Sequence, residues 1–214
     1  YHWLRKENAP KWHDKEKISR NFAEKTLKTD SLIQLAGFVH IEAGFDNERP
    51  WREIEWLEQT CKNSFKSVAN VDLEATNNNF VACLNKLKSY KSLVGVRHIL
   101  DDNATSILNK KGIKGKFNAL SELGLHFELQ MPFSDTSAVD RLAAVLQQHQ
   151  DLKFIVNHAG FPPYSLANES LDWRLWRDNL VKIAQYPNIY IKCSGFEMTN
   201  REYQLTWAKH VVFA

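Results

Sequence analysis

Apolar residues gather in short runs along the chain, and the stretches between them carry apolar positions at helical spacing. Six runs predict strands, over residues 35–43, 66–73, 93–100, 125–131, 153–158 and 188–194. They are rich in β-branched and aromatic residues and are bounded by Gly, Pro, Asp or Asn. The intervening pattern predicts helices. Trp51, Ile54, Leu57 and Cys61 share a side behind Pro50, which suits a first helical position. Phe80, Leu84 and Leu87 follow a possible cap at Asn77, Asn78 or Asn79. Phe117, Leu120 and Leu123 lead to a stop at Gly124. Ala138, Leu142, Val145 and Leu146 turn inward within residues 134–150, and Trp173, Trp176, Leu180 and Ile183 form a further core stripe. A last helix begins near Asn200 or Arg201. Residues 1–30 are polar and irregular, with Trp3, Leu4, Trp12 and Phe22 as scattered anchors, and a long loop runs from Phe161 to Leu171.

Strand followed by helix, repeated six times at a spacing of roughly 30 residues, predicts βαβ units and a parallel sheet. Such units close into a (β/α)8 barrel or open into a doubly wound sheet. No Gly-x-Gly-x-x-Gly follows any strand and there is no P-loop, which weakens nucleotide-binding readings. Polar residues collect at the carboxyl ends of the strands: His40 and Glu42, Asn70 and Asp72, Arg97 and His98, Glu128 and Gln130, His158, and Lys192 with Ser194. Strands buried on both faces should be nearly pure apolar, so polar groups gathered at one end favour a barrel with a pocket there. The run Phe154 to Pro162 is the sharpest case. Alternation along a strand would put Phe154, Val156 and His158 on one face and Ile155 with Asn157 on the other. Arg97 and His98 likewise point to opposite faces, and Arg97 has the forked donors to hold a carboxylate or hydroxyl.

Composition narrows the function. The 214 residues are 43% hydrophobic and 25% charged, an ordinary globular balance, with a net charge of +3 from 28 basic and 25 acidic residues. Well-mixed charge argues neither for nucleic acid nor for a membrane surface. The basic stretch Lys110 to Lys116 reads as a solvated loop leading into a helix, not a phosphate site. Cys61, Cys83 and Cys193 are far apart and lack metal-ligand spacing, which suggests free thiols in a reducing compartment. With no apolar leader in the first 20 residues and no run of the roughly 20 apolar residues that span a bilayer, the expected location is the cytoplasm.

The order of several segments resembles the amidohydrolase-related, TIM-barrel, metal-dependent hydrolases that include sugar lactonases and 2-pyrone-4,6-dicarboxylate lactonase. Val39-His40-Ile41-Glu42-Ala43-Gly44 is similar to that family's second strand, and Val94-Gly95-Val96-Arg97-His98 to its fourth. Asn157-His158-Ala159-Gly160-Phe161-Pro162 resembles its His-x-Gly-x-Pro strand end. Trp176 to Leu180, Pro187-Asn188-Ile189 and Lys192-Cys193-Ser194-Gly195 resemble the helix and strand after it, and Tyr1-His2-Trp3-Leu4 the segment after the first strand. The resemblance implies an α/β fold of the TIM (β/α)8 type, with residues 1–214 forming one barrel domain. The family's His-x-His on the first strand and its Asp on the last have no counterpart here. On that count the six strands are the second to seventh of eight, and the chain is expected to be a fragment. The implied activity is hydrolysis of a lactone by activated water, with a related metal-dependent decarboxylase or a non-catalytic ligand-binding member as alternatives. His158 would be the catalytic residue, as a metal ligand or carbonyl donor; Arg97, Glu42, Gln130 and Ser194 would line the substrate site. A divalent ion such as zinc is the implied cofactor and a small molecule the implied partner, with no nucleic acid and no membrane. The substrate and the oligomeric state stay open.

Overall fold

The structure is a computed structural model describing residues 1–8, 15–27, 32–164 and 170–214. The predicted anchor Trp12, and the part of the long loop from 165 to 169, lie outside the described residues. Six strands and eight α-helices alternate among the described residues. In chain order they are β1 (Phe38–Ile41), α1 (Trp51–Thr60), β2 (Phe65–Asn70), α2 (Asn77–Leu87), β3 (Leu93–Ile99), α3 (Ala104–Leu108), α4 (Ile113–Glu122), β4 (His126–Gln130), α5 (Thr136–Gln148), β5 (Phe154–Val156), α6 (Leu171–Ile183), β6 (Ile189–Ile191), α7 (Phe196–Thr199) and α8 (Leu205–Val212). The strands follow one another in hydrogen-bonded order from β1 to β6, and the pairs β1–β2, β4–β5 and β5–β6 are parallel. Sequential parallel order with a helix after each strand is the order of a (β/α) barrel rather than of a doubly wound sheet, whose strand order reverses. No helix among the described residues is long and apolar enough to cross a membrane.

All six predicted strands form, each shorter than the apolar run that announced it. The run 153–158 stops at Val156 because His158 and Ala159 adopt left-handed backbone, with φ of 54° and 51°. The run 188–194 stops at Ile191, ahead of Gly195 with φ of 71°. Other boundaries differ for local reasons. Pro50 precedes the first helical residue of α1 instead of occupying it. The hydroxyl of Thr76, not an Asn, caps α2 by accepting from Asn79 N–H at 3.3 Å, and Asn77 to Asn79 form its first turn. Gly124 ends α4 as expected, with φ of 65° and its N–H donating to the Ser121 carbonyl at 2.9 Å. The last predicted helix, expected from Asn200 or Arg201, is α8, which starts at Leu205; the four-residue α7 before it was not predicted. The short α3 went unforeseen, because five residues give too little periodicity to read.

The chain packs as two compact units, Tyr1–Val71 with Ala82–Gly95, and Asp72–Val81 with Val96–Ala214. In the first, Phe38 and Phe65 open the β1–β2 register and stack with ring centres 5.3 Å apart. His40 faces α1, where its Nε2 lies 3.0 Å from Glu53 Oε1, and Trp3 Nε1 donates to the Ala43 carbonyl at 2.7 Å. Ile54, Leu57, Val68 and Ala69 are buried there.

In the second unit the rings of Phe117 on α4, Phe127 on β4 and Phe154 on β5 meet edge to face at 5.1–6.1 Å. These buried aromatics fix which side of β4 and β5 faces the helices. Asn188 crosses from the start of β6 to the carbonyls of Leu146, His149 and Leu152, holding the end of α5. Lys116, predicted to be solvated, is buried in α4 with Nζ donating to the Leu73 and Ala75 carbonyls at 2.7 and 2.5 Å.

Candidate active site

The side of β4 opposite Phe127 and Leu129 carries His126, Glu128 and Gln130. On β5, Phe154 and Val156 face the helices, so Ile155 lies on the same side as Glu128, its register partner. Tyr190 is the partner of Ile155 on β6, which brings Lys192 to that side as well. One residue beyond the paired segments the row reads Gln130, Asn157, Lys192. Lys192 Nζ donates to Glu128 Oε2 at 2.6 Å, and His126 Nε2 approaches the other carboxylate oxygen at 3.4 Å. Burial alone would push the Glu128 carboxyl up; the interactions with His126 and Lys192 outweigh it and hold the group below its ordinary value.

His158 is not on β5, so strand alternation does not orient it. The left-handed turn at His158 and Ala159 does. Non-glycine residues pay on the order of 1–2 kcal/mol for such backbone, and strain of this kind gathers at functional sites. The turn is pinned on both sides: Ala159 N–H donates to the Lys192 carbonyl at 2.9 Å, and its carbonyl accepts from Trp176 Nε1 at 2.8 Å. His158 Nδ1 thereby sits 3.3 Å from Ser194 Oγ. It lies so close to Gly195 that a Cβ there would overlap the imidazole.

Burial pushes the His158 imidazole below its ordinary value and the Arg97 guanidinium adds to this; the Ser194 main chain acts in the opposite sense. The lowered value leaves the ring neutral at pH 7, with one of its two nitrogens able to accept a proton.

Of the expected site residues, the second unit thus gathers His158, Ser194 and Arg97. Gln130 is in the row above, its Nε2 donating to Asp101 Oδ1 at 3.1 Å. Glu42 belongs to the first unit, buried, with Oε2 accepting from Gly44 N–H at 2.9 Å. Lys192 and Asn157 were not among the expected site residues. For Asn157 the misleading signal was the assumption that His158 continued the strand, which set the two on opposite faces.

A metal needs more than one ligand, and catalytic zinc takes three from the protein. Near His158 the described residues supply one, the neutral imidazole. Asp72, Glu74 and His98 do bring ligand atoms within 4.8 Å of one another. Each already makes other contacts: Glu74 pairs with Lys110, Asp72 Oδ1 accepts from Glu74 N–H at 2.7 Å, and His98 Nδ1 accepts from Leu73 N–H at 3.3 Å. Neither group completes a catalytic set, and no step below passes through a metal.

Residues 37–212 match the profile of the amidohydrolase family. The chain belongs to the amidohydrolase family. It is 24% identical over 212 residues to an uncharacterized protein, y4mH, of Sinorhizobium fredii, covering 94% of this chain and 69% of that one. Among solved structures, an amidohydrolase from Burkholderia multivorans with bound zinc is 18% identical with a TM-score of 0.65, over 83% of this chain and 61% of that one. A probable 2-pyrone-4,6-dicarboxylic acid hydrolase from Acinetobacter baumannii with citric acid bound is 18% identical with a TM-score of 0.55, over 83% and 62%. Identities this low speak for the amidohydrolase fold alone. The chain spans about three fifths of the length of these two solved structures.

Proposed function

We propose that this amidohydrolase opens a lactone, a sugar lactone or related cyclic ester, by attack of an activated water. The observation that carries the reading is the neutral imidazole of His158, held by the Ser194–Gly195 main chain with Arg97 nearby. A ring nitrogen accepts the proton of a water as the water oxygen bonds to the carbonyl carbon. The ring carbon–oxygen bond then breaks, and the proton passes to the leaving oxygen, giving a hydroxy acid. The forked donors of Arg97 hold the charge that develops on the carbonyl oxygen. Gln130 and Ser194 serve as substrate-site residues.

The lactone class draws support from the name of the Acinetobacter structure. The zinc of the Burkholderia structure supports a divalent ion in the protein. A second reading, a related decarboxylase, is favoured by the cation Arg97, which suits an acidic substrate.

The test is an assay of the full-length protein on aldonolactones and pyrone dicarboxylates, following ring opening by proton release. Ring opening is expected, with His158→Gln lowering kcat about 10²- to 10⁴-fold, the usual contribution of a positioned base. Inactivity on every lactone with release of carbon dioxide from an acidic substrate would replace this reading with the second.

A further inference from the structure

Asn157 is 2% exposed, and neither Nδ2 nor Oδ1 has a hydrogen-bond partner among the described residues. It is the one described carboxamide with both atoms in that state. Buried polar groups are nearly always paired, so such an amide needs an explanation. Its neighbours in the row do not supply one, because Gln130 is engaged by Asp101 and Lys192 by Glu128. The main chain just after it is pinned through Ala159 to Lys192 and Trp176. The amide is therefore buried and unpartnered among the described residues, on the residue next to His158.

We propose that Asn157 is a specificity-determining residue whose amide binds a hydroxyl of the substrate. The chemistry of the group selects that partner. A carboxamide presents a donor and an acceptor together. A hydroxyl satisfies both. A carboxylate only accepts and would leave Oδ1 unpaired; an ammonium only donates and would leave Nδ2 unpaired. The proposal rests on the lactonase reading and refines it: the substrate is a hydroxylated lactone, and the hydroxyl that Asn157 holds lies near the carbonyl that reacts beside His158. A site built to bind a hydroxyl discriminates strongly against the analogue lacking it, because the buried amide is then left unpaired.

The experiment uses full-length protein and two lactams, which resist hydrolysis: D-galactono-1,5-lactam and 2-piperidone, the same ring without hydroxyls. Binding is measured by calorimetry and thermal stability by scanning, for the native protein and for Asn157→Leu, close in shape but apolar. The native protein should prefer the hydroxylated lactam. Asn157→Leu should weaken that lactam about tenfold or more while leaving 2-piperidone unchanged, with Tm equal or higher because an unpaired buried amide is removed. A lowered Tm with an equal loss for both probes would make Asn157 a structural residue and overturn the proposal. So would the absence of a preference in the native protein, or unchanged binding in the variant. Selective lactam binding without opening of any lactone would sink the hydrolase reading and leave the role of Asn157 standing. Lactone opening that is indifferent to Asn157→Leu would do the reverse.

Discussion

At His158 the protein withholds a charge. Burial lowers the imidazole from its ordinary 6.5, and Arg97 lowers it further. A folded-state value below the unfolded one means that the unfolded chain binds the proton more readily. The stability tied to the neutral ring is present above pH 6.5 and is lost as pH falls from there through the lowered value. The same neutrality leaves the ring able to take up a proton at pH 7. Arg97→Met removes the second cause while leaving burial in place. The His158 ring resonance, followed by proton NMR, is expected to titrate below 6.5 in the native protein and to shift upward in the variant. An unmoved midpoint would mean that the guanidinium does not act on the ring and that the two residues do not share a site.

Among the elements, two turns that no apolar pattern announces set the site: the left-handed turn after β5 and the corner between β6 and α7. At that corner Gly195 has φ of 71° and stands against the His158 ring. A Cβ there meets both a backbone penalty of about 1 kcal/mol and the imidazole itself. Gly195→Ala should lose about 1–3 kcal/mol in urea unfolding and should also shift the titration of His158, because the ring must move. Gly115, inside α4 with open space around it, is the control. Gly115→Ala should gain about 0.5–1 kcal/mol from helix propensity and leave His158 unchanged. Equal effects of the two substitutions would deny the corner its role in placing the ring.

The strands and most helices were legible because Val, Ile, Leu and Phe recur with the periods those elements impose, as Phe127 and Phe154 do in the core. The same reading ran strands too far, since Val156-Asn157-His158 continues the alternation in letters while the backbone reverses its hand at His158. It named His158 and Ser194, whose side chains the structure brings within 3.3 Å, and it did not single out Asn157. It also took Lys116 as solvated, because a lone Lys in a basic stretch carries no sign of the carbonyls of Leu73 and Ala75 that fold back to meet it.

At the scale of the whole molecule, the strands follow one another in order from β1 to β6, and Glu128 shows what that order must accommodate. Placing a carboxylate inside a parallel sheet is costly unless it is paired. Here Lys192 answers it from β6, two strands away, with β5 between. The tie therefore forms only once β4, β5 and β6 are all in register, which makes it a reporter of the assembled second unit. Removing Lys192 strands the charge. Breaking a buried pair costs about 3–5 kcal/mol, and the lower end applies because the Lys192 side chain is 33% exposed and water can reach the gap. His126 and Lys192 together hold the Glu128 carboxyl below its ordinary 4.5, so this stabilisation is present above that pH and fades as pH falls through the lowered value. In Lys192→Met only His126 is left to oppose burial, so the carboxyl rises from its native value. The deficit, about 3 kcal/mol by urea unfolding at pH 7, should shrink as pH falls toward the region where the stranded carboxyl takes up a proton. The double variant Glu128→Gln with Lys192→Met should recover most of the loss at pH 7, since no buried charge remains. A deficit in Lys192→Met independent of pH, or a double variant no more stable than the single one, would show that Lys192 stabilises the unit through its aliphatic stem and not through Glu128.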